Sequence, residues 1–252
     1  MKIYKKIFSF IIISFLFLSC KKEIFIKQSS AILNKTKIEN ITNPYDYLGE
    51  IHNIVLNNCL LNDNLGNLTN FQKIEYIKNK INFELNNINK SDLNLTFQNN
   101  DQIEAFINLI PKDTFATENY YNSFLNQFNI HQRNYFLQIK SILNNGQTNY
   151  TIINNAIKNL EQEVLVSSTL SNEDRRLILG GLAIAKYSYT FWEFGNGKVI
   201  PHKMRPWLAD IIGFAGGFVS ALIINNNSSS GVGDPIGAGL TAGVSASLAA
   251  AL

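Results

Sequence analysis

Residues 207–252 read WLADIIGFAGGFVSALIINNNSSSGVGDPIGAGLTAGVSASLAAAL. Two apolar arms flank a polar link, NNNSSSGVGD, and the only charged residues after Arg205 are Asp210 and Asp234. Long apolar segments that are joined by a short link rich in Asn, Ser and Gly are typical of paired helices. The sequence therefore predicts a helical hairpin that is buried either in protein or in lipid.

Small residues recur at every fourth position in both arms of the hairpin. This spacing places side chains on one face of a helix, so each arm carries a smooth stripe on which another backbone can pack closely. The predicted helix-packing residues are Ala209, Gly213, Gly217, Ala221, Gly239, Gly243, Ser247 and Ala251.

The opposite end of the chain has the pattern of a bacterial export signal. Lysines precede an apolar run, Ile7–Leu18, which is too short to span a membrane comfortably. The segment ends in Ser19-Cys20, and a small residue directly before such a cysteine resembles the lipobox of bacterial lipoproteins. The resemblance implies that residues 1–19 are a signal peptide and that Cys20 is lipidated. An uncleaved anchor, or an ordinary signal with a coincidental cysteine, is the alternative.

Charge and cysteine content restrict the class of protein. The sequence has 22 Lys+Arg and 19 Asp+Glu, and the basic excess is the signal's own Lys2, Lys5 and Lys6. The mature chain is therefore near neutral, and no basic patch indicates nucleic-acid binding. With Cys20 lipidated, Cys59 is the only cysteine left, which excludes an intramolecular disulfide.

Between the signal and the hairpin, apolar residues have helical spacing, and the alternation of a strand is absent. The sequence predicts an all-α fold, a multi-helix bundle with a C-terminal glycine/alanine-rich helical hairpin. Its regions are the signal peptide (1–19), a flexible tether (20–42), a helical body (43–195), and a basic link with the small-residue hairpin (196–252). Helix starts are expected near Asn43, Thr69, Asn100, Thr117, Ile130, Asn149 and Arg175.

Capping signals support two of these starts. Asn43 fits an N-cap because Pro44 follows it at the first helical position. Ser171 and Asp174 have the spacing of a capping box, with Asp in place of the usual Glu or Gln. The helix that follows, up to Phe194, is so apolar that we expect it to be mostly buried.

The first predicted helix carries the one candidate nucleophile pair. His52 and Cys59 share a face of that helix, and an imidazole can activate a thiol. The sequence places no oxyanion hole or orienting third group nearby. We therefore interpret Cys59 as a small core residue, and His52 with Asn53 as a hydrogen-bonding pair on the helix surface.

Other candidate sites have simpler interpretations. The histidines 52, 131 and 202 are isolated, and no metal-ligand spacing, phosphate-binding loop or hydrolase motif occurs. No catalytic residue, metal or cofactor is therefore predicted. The carboxylate pairs that we interpret as a solvated face and a helix N-terminus are Glu161/Glu163 and Glu173/Asp174. The aromatic residues that we assign to the core are Tyr187, Tyr189, Phe191 and Trp192.

Three stretches together resemble a known group of sequences. They are Asn43–Asn53 (NPYDYLGEIHN), Ala183–Tyr189 (AIAKYSY) ahead of Trp192, and the Trp207–Asp210 opening of the glycine-rich tail. They resemble a group of uncharacterised lipoproteins from Bacteroidota-type bacteria, which carries over no established activity. The tail separately resembles, in composition, the glycine-rich helical segments of small bacteriocins.

These observations predict a non-enzymatic lipoprotein of the cell envelope that acts as a binding or structural module. The lipid on Cys20 attaches it to the membrane, at the outer membrane or the periplasmic face, and a protein partner is not identified. One alternative is a bacteriocin-like toxin or export component whose hairpin inserts into a membrane. Two features argue against membrane insertion: Asp210 places a charge within the first arm, and the second arm is only weakly hydrophobic. A hydrolase with an unrecognised site is the second alternative.

Overall fold

A computed structural model describes residues 39–62, 64–89, 100–111, 114–145, 149–195, 205–227 and 234–251. This part of the chain contains nine α-helices and no strand, which confirms the predicted all-α bundle. The predicted signal peptide, Cys20, the predicted tether up to residue 38, the loop at 91–97 and His202 of the basic link lie outside the described residues.

Two short 3-10 turns, Leu65–Asn67 and Leu125–Gln127, accompany the helices. The helices are α1 (Tyr47–Leu60), α2 (Asn70–Asn87), α3 (Asn100–Leu109), α4 (Thr114–Phe124), α5 (Ile130–Asn144), α6 (Tyr150–Val166), α7 (Asn172–Phe194), α8 (Pro206–Asn227) and α9 (Pro235–Ala251).

Side-chain caps define where several helices begin. Ser171 and Asp174 form the predicted capping box of α7, and Thr69 with Gln72 forms another at α2. Each box satisfies backbone N–H groups that a helix N-terminus leaves without intrahelical partners. Asn149 caps α6 with its side chain, in agreement with the predicted start of that helix.

Three helices begin elsewhere than predicted. Helix α7 begins at Asn172, directly after its predicted cap Ser171 and three residues before Arg175. The Asn43 side chain accepts a hydrogen bond from the Tyr45 N–H at 2.9 Å, but turns follow it and the regular helix α1 begins only at Tyr47. Helix α4 begins at Thr114, before the expected cap Thr117. The Thr117 hydroxyl instead donates to the Pro111 carbonyl at 2.9 Å, which links α4 to the end of the preceding segment.

Helix α7 lies at the centre of the bundle. It packs against α1 and α8, and also against α5 and α6. Every residue from Leu177 to Trp192 is buried, as its apolar sequence predicts. The hairpin of α8 and α9 lies on α7, and α1, α2, α3 and α4 cover the rest of the hairpin. The outer helices are amphipathic, so the ends of their predicted stripes, such as Phe71 (50% exposed) and Ile88 (42%), extend beyond the core.

Candidate functional site

The two predicted stripes of small residues face each other inside the hairpin. A Cβ atom placed on Gly213 would lie 2.6 Å from the carbonyl oxygen of Ala242. One placed on Gly217 would lie 2.5 Å from the carbonyl oxygen of Ala238. Protein interiors do not accommodate such overlaps, so a larger residue at either position requires the helices to move apart.

The stripe of α9 is less uniform. A Cβ on Gly239 would lie 2.8 Å from the Phe214 carbonyl oxygen, whereas a Cβ on Gly243 would find its nearest atom, the Asp210 carbonyl oxygen, at 3.3 Å. Ser247 has a polar role, because its hydroxyl accepts a hydrogen bond from Trp192 Nε1 at 3.2 Å. The outer members of the two stripes, all of them buried, are Ala209, Ala221 and Ala251.

Other glycines make room for aromatic rings, and the spacing pattern did not identify them. A Cβ on Gly216 would lie 2.0 Å from the ring of Phe106, which reaches the hairpin from α3. Gly180 of α7 receives the ring of Phe214 in the same way, at 2.5 Å. In the sequence, these contacts are indicated only by glycines, such as Gly216 and Gly180, that do not belong to the stripes of small residues.

The first arm has the length and composition of a membrane-spanning helix. The window Pro206–Ile223 has 18 residues and a mean hydropathy of 1.6, and 78% of it is buried inside the protein. It is the one such window among the described residues. Core helices of soluble proteins have the same properties, so the burial is the more informative observation.

A buried ion cluster joins α7 to the start of α1 and to α6. The Lys186 ammonium donates to Asp46 and lies 3.3 Å from Glu161 Oε1. The Glu161 carboxylate also accepts hydrogen bonds from Asn43 at 2.8 Å and from Asn40 at 2.6 Å. Lys186 is 2% exposed and Glu161 is fully buried, so these partners supply the interactions that water would otherwise make.

A second buried polar cluster lies between α1, α7 and the hairpin. Asp210 Oδ2 accepts hydrogen bonds from the Ser188 hydroxyl and from Trp192 Nε1, the latter at 3.2 Å. Its Oδ1 lies 3.6 Å from His52 Nε2, too far for a hydrogen bond, and neither atom has a hydrogen-bond partner among the described residues. His52 Nδ1 lies 3.1 Å from Asn53 Oδ1. Asp210 is the one charged residue in α8, and this cluster supplies its polar neighbours inside the protein.

Tyr187 connects the two clusters. Its hydroxyl donates to Asp46 at 3.0 Å, and its backbone carbonyl accepts a hydrogen bond from Asn53 Nδ2 at 2.8 Å. Burial, together with the negative charge of Asp46, raises the pKa of the Tyr187 hydroxyl. Tyr187 of α7 is therefore bonded both to Asp46, directly before α1, and to Asn53 within α1.

Neither cluster has the arrangement of a nucleophilic site. In a serine hydrolase the histidine lies between the serine and the carboxylate, whereas here the Ser188 hydroxyl donates directly to Asp210. Ser188, His52 and Asp210 are each fully buried. Burial also raises the pKa of the Cys59 thiol to about 12, so it is protonated at neutral pH and is not an activated nucleophile.

Two interpretations of polar residues are wrong, and both failed because the residues are buried. Glu161 lies in the core and not on a solvated face, although Glu163 beside it is exposed. His52 and Asn53 do pair, but inside the protein and not on its surface. The assignment of the aromatic residues at 187–192 to the core is confirmed, as is that of Cys59, which is 2% exposed. Asn40, within the predicted tether, already bonds to the body.

A cavity of about 240 Å³ opens beside the end of the hairpin. It lies between the first half of α2, the second half of α3 and the C-terminal part of α9. Its walls are mainly isoleucine, alanine and leucine. The polar residues in its lining are Asn70, Lys73, Glu104, Asn108 and Ser245. The Ser245 hydroxyl is buried and has no hydrogen-bond partner in the part of the chain that the structure describes. The cavity was not predictable from the sequence, because three distant segments form it.

The comparisons with known proteins add no family. No family model, no curated protein and no solved structure matches the chain. Within the described ranges, no three His, Cys, Asp or Glu side chains lie close enough together to hold a metal ion.

Proposed function

We propose that the chain is a cell-envelope lipoprotein, anchored through a lipid on Cys20, that acts as a non-enzymatic binding or structural module. In this proposal the hairpin is the internal scaffold of the module. The observation that carries it is the burial of both hairpin arms by protein: all described side chains from Trp207 to Phe218 and from Ile236 to Leu248 are buried or half-buried.

The surroundings of Asp210 favour protein over lipid as the partner of the hairpin. A carboxylate inside a bilayer is costly unless another group compensates it. Here Ser188, Trp192 and His52 from two neighbouring helices surround the Asp210 side chain. At the start of α9, Arg176 Nη2 of α7 donates to both carboxylate oxygens of Asp234, at 2.8 and 2.9 Å. The two acidic residues of the hairpin thus both have partners in the body.

The first test is the behaviour of a chain that starts at Glu39, after the anchor. We expect it to be soluble without detergent, to have a strongly helical circular dichroism spectrum and to melt cooperatively. Removal of Trp207–Leu252 should then leave an aggregating body, because α7 loses its apolar cover. A chain that needs detergent, and becomes soluble and folded when the hairpin is removed, would contradict the proposal.

The lipid anchor is tested separately in the full-length chain. We expect radiolabelled palmitate to be incorporated into the wild-type protein and not into Cys20→Ser, with the wild-type protein in the membrane fraction. Equal labelling of both proteins would show that Cys20 is not the attachment site.

Membrane insertion of the hairpin is the second candidate function, and the length and hydropathy of Pro206–Ile223 favour it. It requires α8 and α9 to leave the body and expose α7. Flotation of the soluble chain with anionic vesicles tests it: insertion predicts co-flotation that resists high salt and disappears when the hairpin is removed.

A further inference from the structure

The cavity beside the hairpin end combines an apolar wall with two opposite charges. Lys73 from α2 and Glu104 from α3 line it, and both side chains are half-buried. Glu104 accepts a hydrogen bond from Asn70 at 3.0 Å. No ion pair joins Lys73 to Glu104 in the described part of the chain, so each charge is available to a ligand.

Apolar side chains make up most of the remaining lining of the cavity, and its other polar members are Asn70, Asn108 and one buried hydroxyl. Ile74, Ile77, Ile107 and Leu248 supply its walls. Ser245, at 7% exposure, places a buried hydroxyl there that bonds to no described group. A buried polar atom without a partner is costly, so a ligand atom that bonds to it would recover that free energy.

The size of the cavity limits the ligand. A water molecule occupies about 30 Å³ of liquid, so the volume suits a compound of roughly eight to ten non-hydrogen atoms. The two charges sum to zero, and a singly charged ligand would leave either Lys73 or Glu104 uncompensated. A small zwitterion with an apolar side chain matches the volume, the charges and the walls together.

We propose that this cavity binds a free α-amino acid with an apolar side chain of the size of leucine. Its carboxylate pairs with Lys73, its ammonium group pairs with Glu104, and its side chain lies against the isoleucines. Ser245 supplies a further hydrogen bond from α9. The inference rests on the proposed binding module and names its ligand class.

Isothermal titration of the full-length protein in detergent micelles tests this proposal. The probes are leucine, 4-methylpentanoate (which lacks the ammonium group), 3-methylbutylamine (which lacks the carboxylate) and glycine (which lacks the side chain). We expect leucine to bind with a Kd between about 10 µM and 1 mM, and each of the other probes at least about tenfold more weakly.

Two variants assign the charges to the two ends of the ligand. Lys73→Met should weaken leucine binding about tenfold while leaving the binding of 3-methylbutylamine unchanged. Glu104→Gln should weaken leucine binding equally while leaving that of 4-methylpentanoate unchanged. Lys80→Met, on α2 but outside the cavity lining, is the matched control and should bind leucine as the wild type does.

The outcomes separate this inference from the proposed function. Absence of binding by leucine, isoleucine and phenylalanine at about 10 mM, in a protein with an unchanged helical spectrum, overturns the ligand class. So does a singly charged probe that binds as tightly as leucine. A different result would contradict the binding-module proposal itself: a chain from Glu39 that stays soluble only in detergent.

Discussion

At Gly213 the distance between two helix backbones decides which residue the position accepts. We predict that Gly213→Ala lowers the free energy of unfolding by roughly 1–3 kcal/mol, because the new Cβ would overlap the Ala242 carbonyl oxygen at 2.6 Å. Gly243→Ala should cost less, because its nearest atom is 3.3 Å away and alanine gains up to about 1 kcal/mol in helix propensity. Denaturant unfolding monitored by circular dichroism measures both values.

Gly66 provides the control for this series. A Cβ on Gly66 meets no atom of the described residues within 4 Å, so Gly66→Ala should change the free energy of unfolding by less than about 0.5 kcal/mol. If Gly213→Ala changes the free energy of unfolding as little as Gly66→Ala does, the two helices of the hairpin do not pack closely at Gly213.

Lys186 holds two buried carboxyl groups in place. We predict that Lys186→Met lowers the free energy of unfolding by about 3–5 kcal/mol, because Asp46 and Glu161 then lack their buried cation. Adding Asp46→Asn to that variant should recover part of the loss, since one carboxylate fewer is left uncompensated. A double-mutant cycle measured by thermal or denaturant unfolding gives the coupling free energy.

The matched control for Lys186 is a half-buried lysine of α6, Lys158. Lys158→Met should change the free energy of unfolding by no more than about 0.5 kcal/mol, because Lys158 is only half-buried and forms no ion pair with a described residue. Additive effects of Lys186→Met and Asp46→Asn would contradict an ion cluster that acts as a unit.

The burial of some residues was predictable from the sequence, and that of others was not. The burial of Trp192 and Cys59 followed from apolar patterns, which local spacing records. The burial of Glu161 did not follow, because its partners Asn43 and Lys186 are distant in sequence and only the packing of α1, α6 and α7 brings them together. Lys186 within a strongly apolar helix was the available signal, since a lysine there requires a buried counter-charge.

At the scale of elements, the cap of α7 also secures the start of α5. Asp174 accepts hydrogen bonds from Ser171 at 2.7 Å, from Asn129 at 2.9 Å and from Gln132 at 2.7 Å. Burial alone would raise the pKa of the Asp174 carboxyl, but these hydrogen bonds outweigh it and lower the pKa below its ordinary value. The ionised form of Asp174 therefore stabilises the junction of two helices.

This junction predicts a pH dependence. Because the pKa of Asp174 is lower in the folded state, its contribution is complete above the unfolded value of about 3.9 and is lost as the pH falls through the folded value. Asp174→Asn should therefore lose less stability than the wild type between about pH 4 and pH 2. Denaturant midpoints measured across this range test the prediction; parallel curves for the two proteins would contradict it.

Helix starts were predictable where a side chain alone supplies the cap, as at Thr69, Asn149 and Ser171. They were not predictable where tertiary contacts determine the start. At α1 the turns after Asn43 place Asp46 against Lys186, and the regular helix begins after them. At α4 the helix begins at Thr114, and the Thr117 hydroxyl bonds to the Pro111 carbonyl instead of acting as a cap.

At the scale of the whole molecule, the apolar and small-residue patterns were sufficient for the fold class and for the hairpin. They were not sufficient for the cavity or the two polar clusters, since each combines side chains from three or more distant segments. Local spacing determines which face of a helix is apolar, but the order in which those faces meet depends on the loops and on side-chain volume.

The central position of α7, α8 and α9 predicts how the molecule opens. Buried helices that are covered on every side exchange their amide hydrogens only when the whole protein unfolds, whereas peripheral helices exchange through local opening. We therefore expect the amides of α7, α8 and α9 to share the slowest exchange rate, and those of α2 and α5 to exchange faster. Hydrogen exchange with mass spectrometry on the chain from Glu39 measures this order.

Gly213→Ala sharpens this measurement, because it loosens the hairpin without touching α7. If the three helices form one cooperative unit, the variant should speed the exchange of all three by the same factor, set by its loss of unfolding free energy. If α8 and α9 exchange faster while α7 keeps its protection, the hairpin opens by itself. Separate opening is what membrane insertion requires, so that result would favour the membrane-inserting function over the binding module.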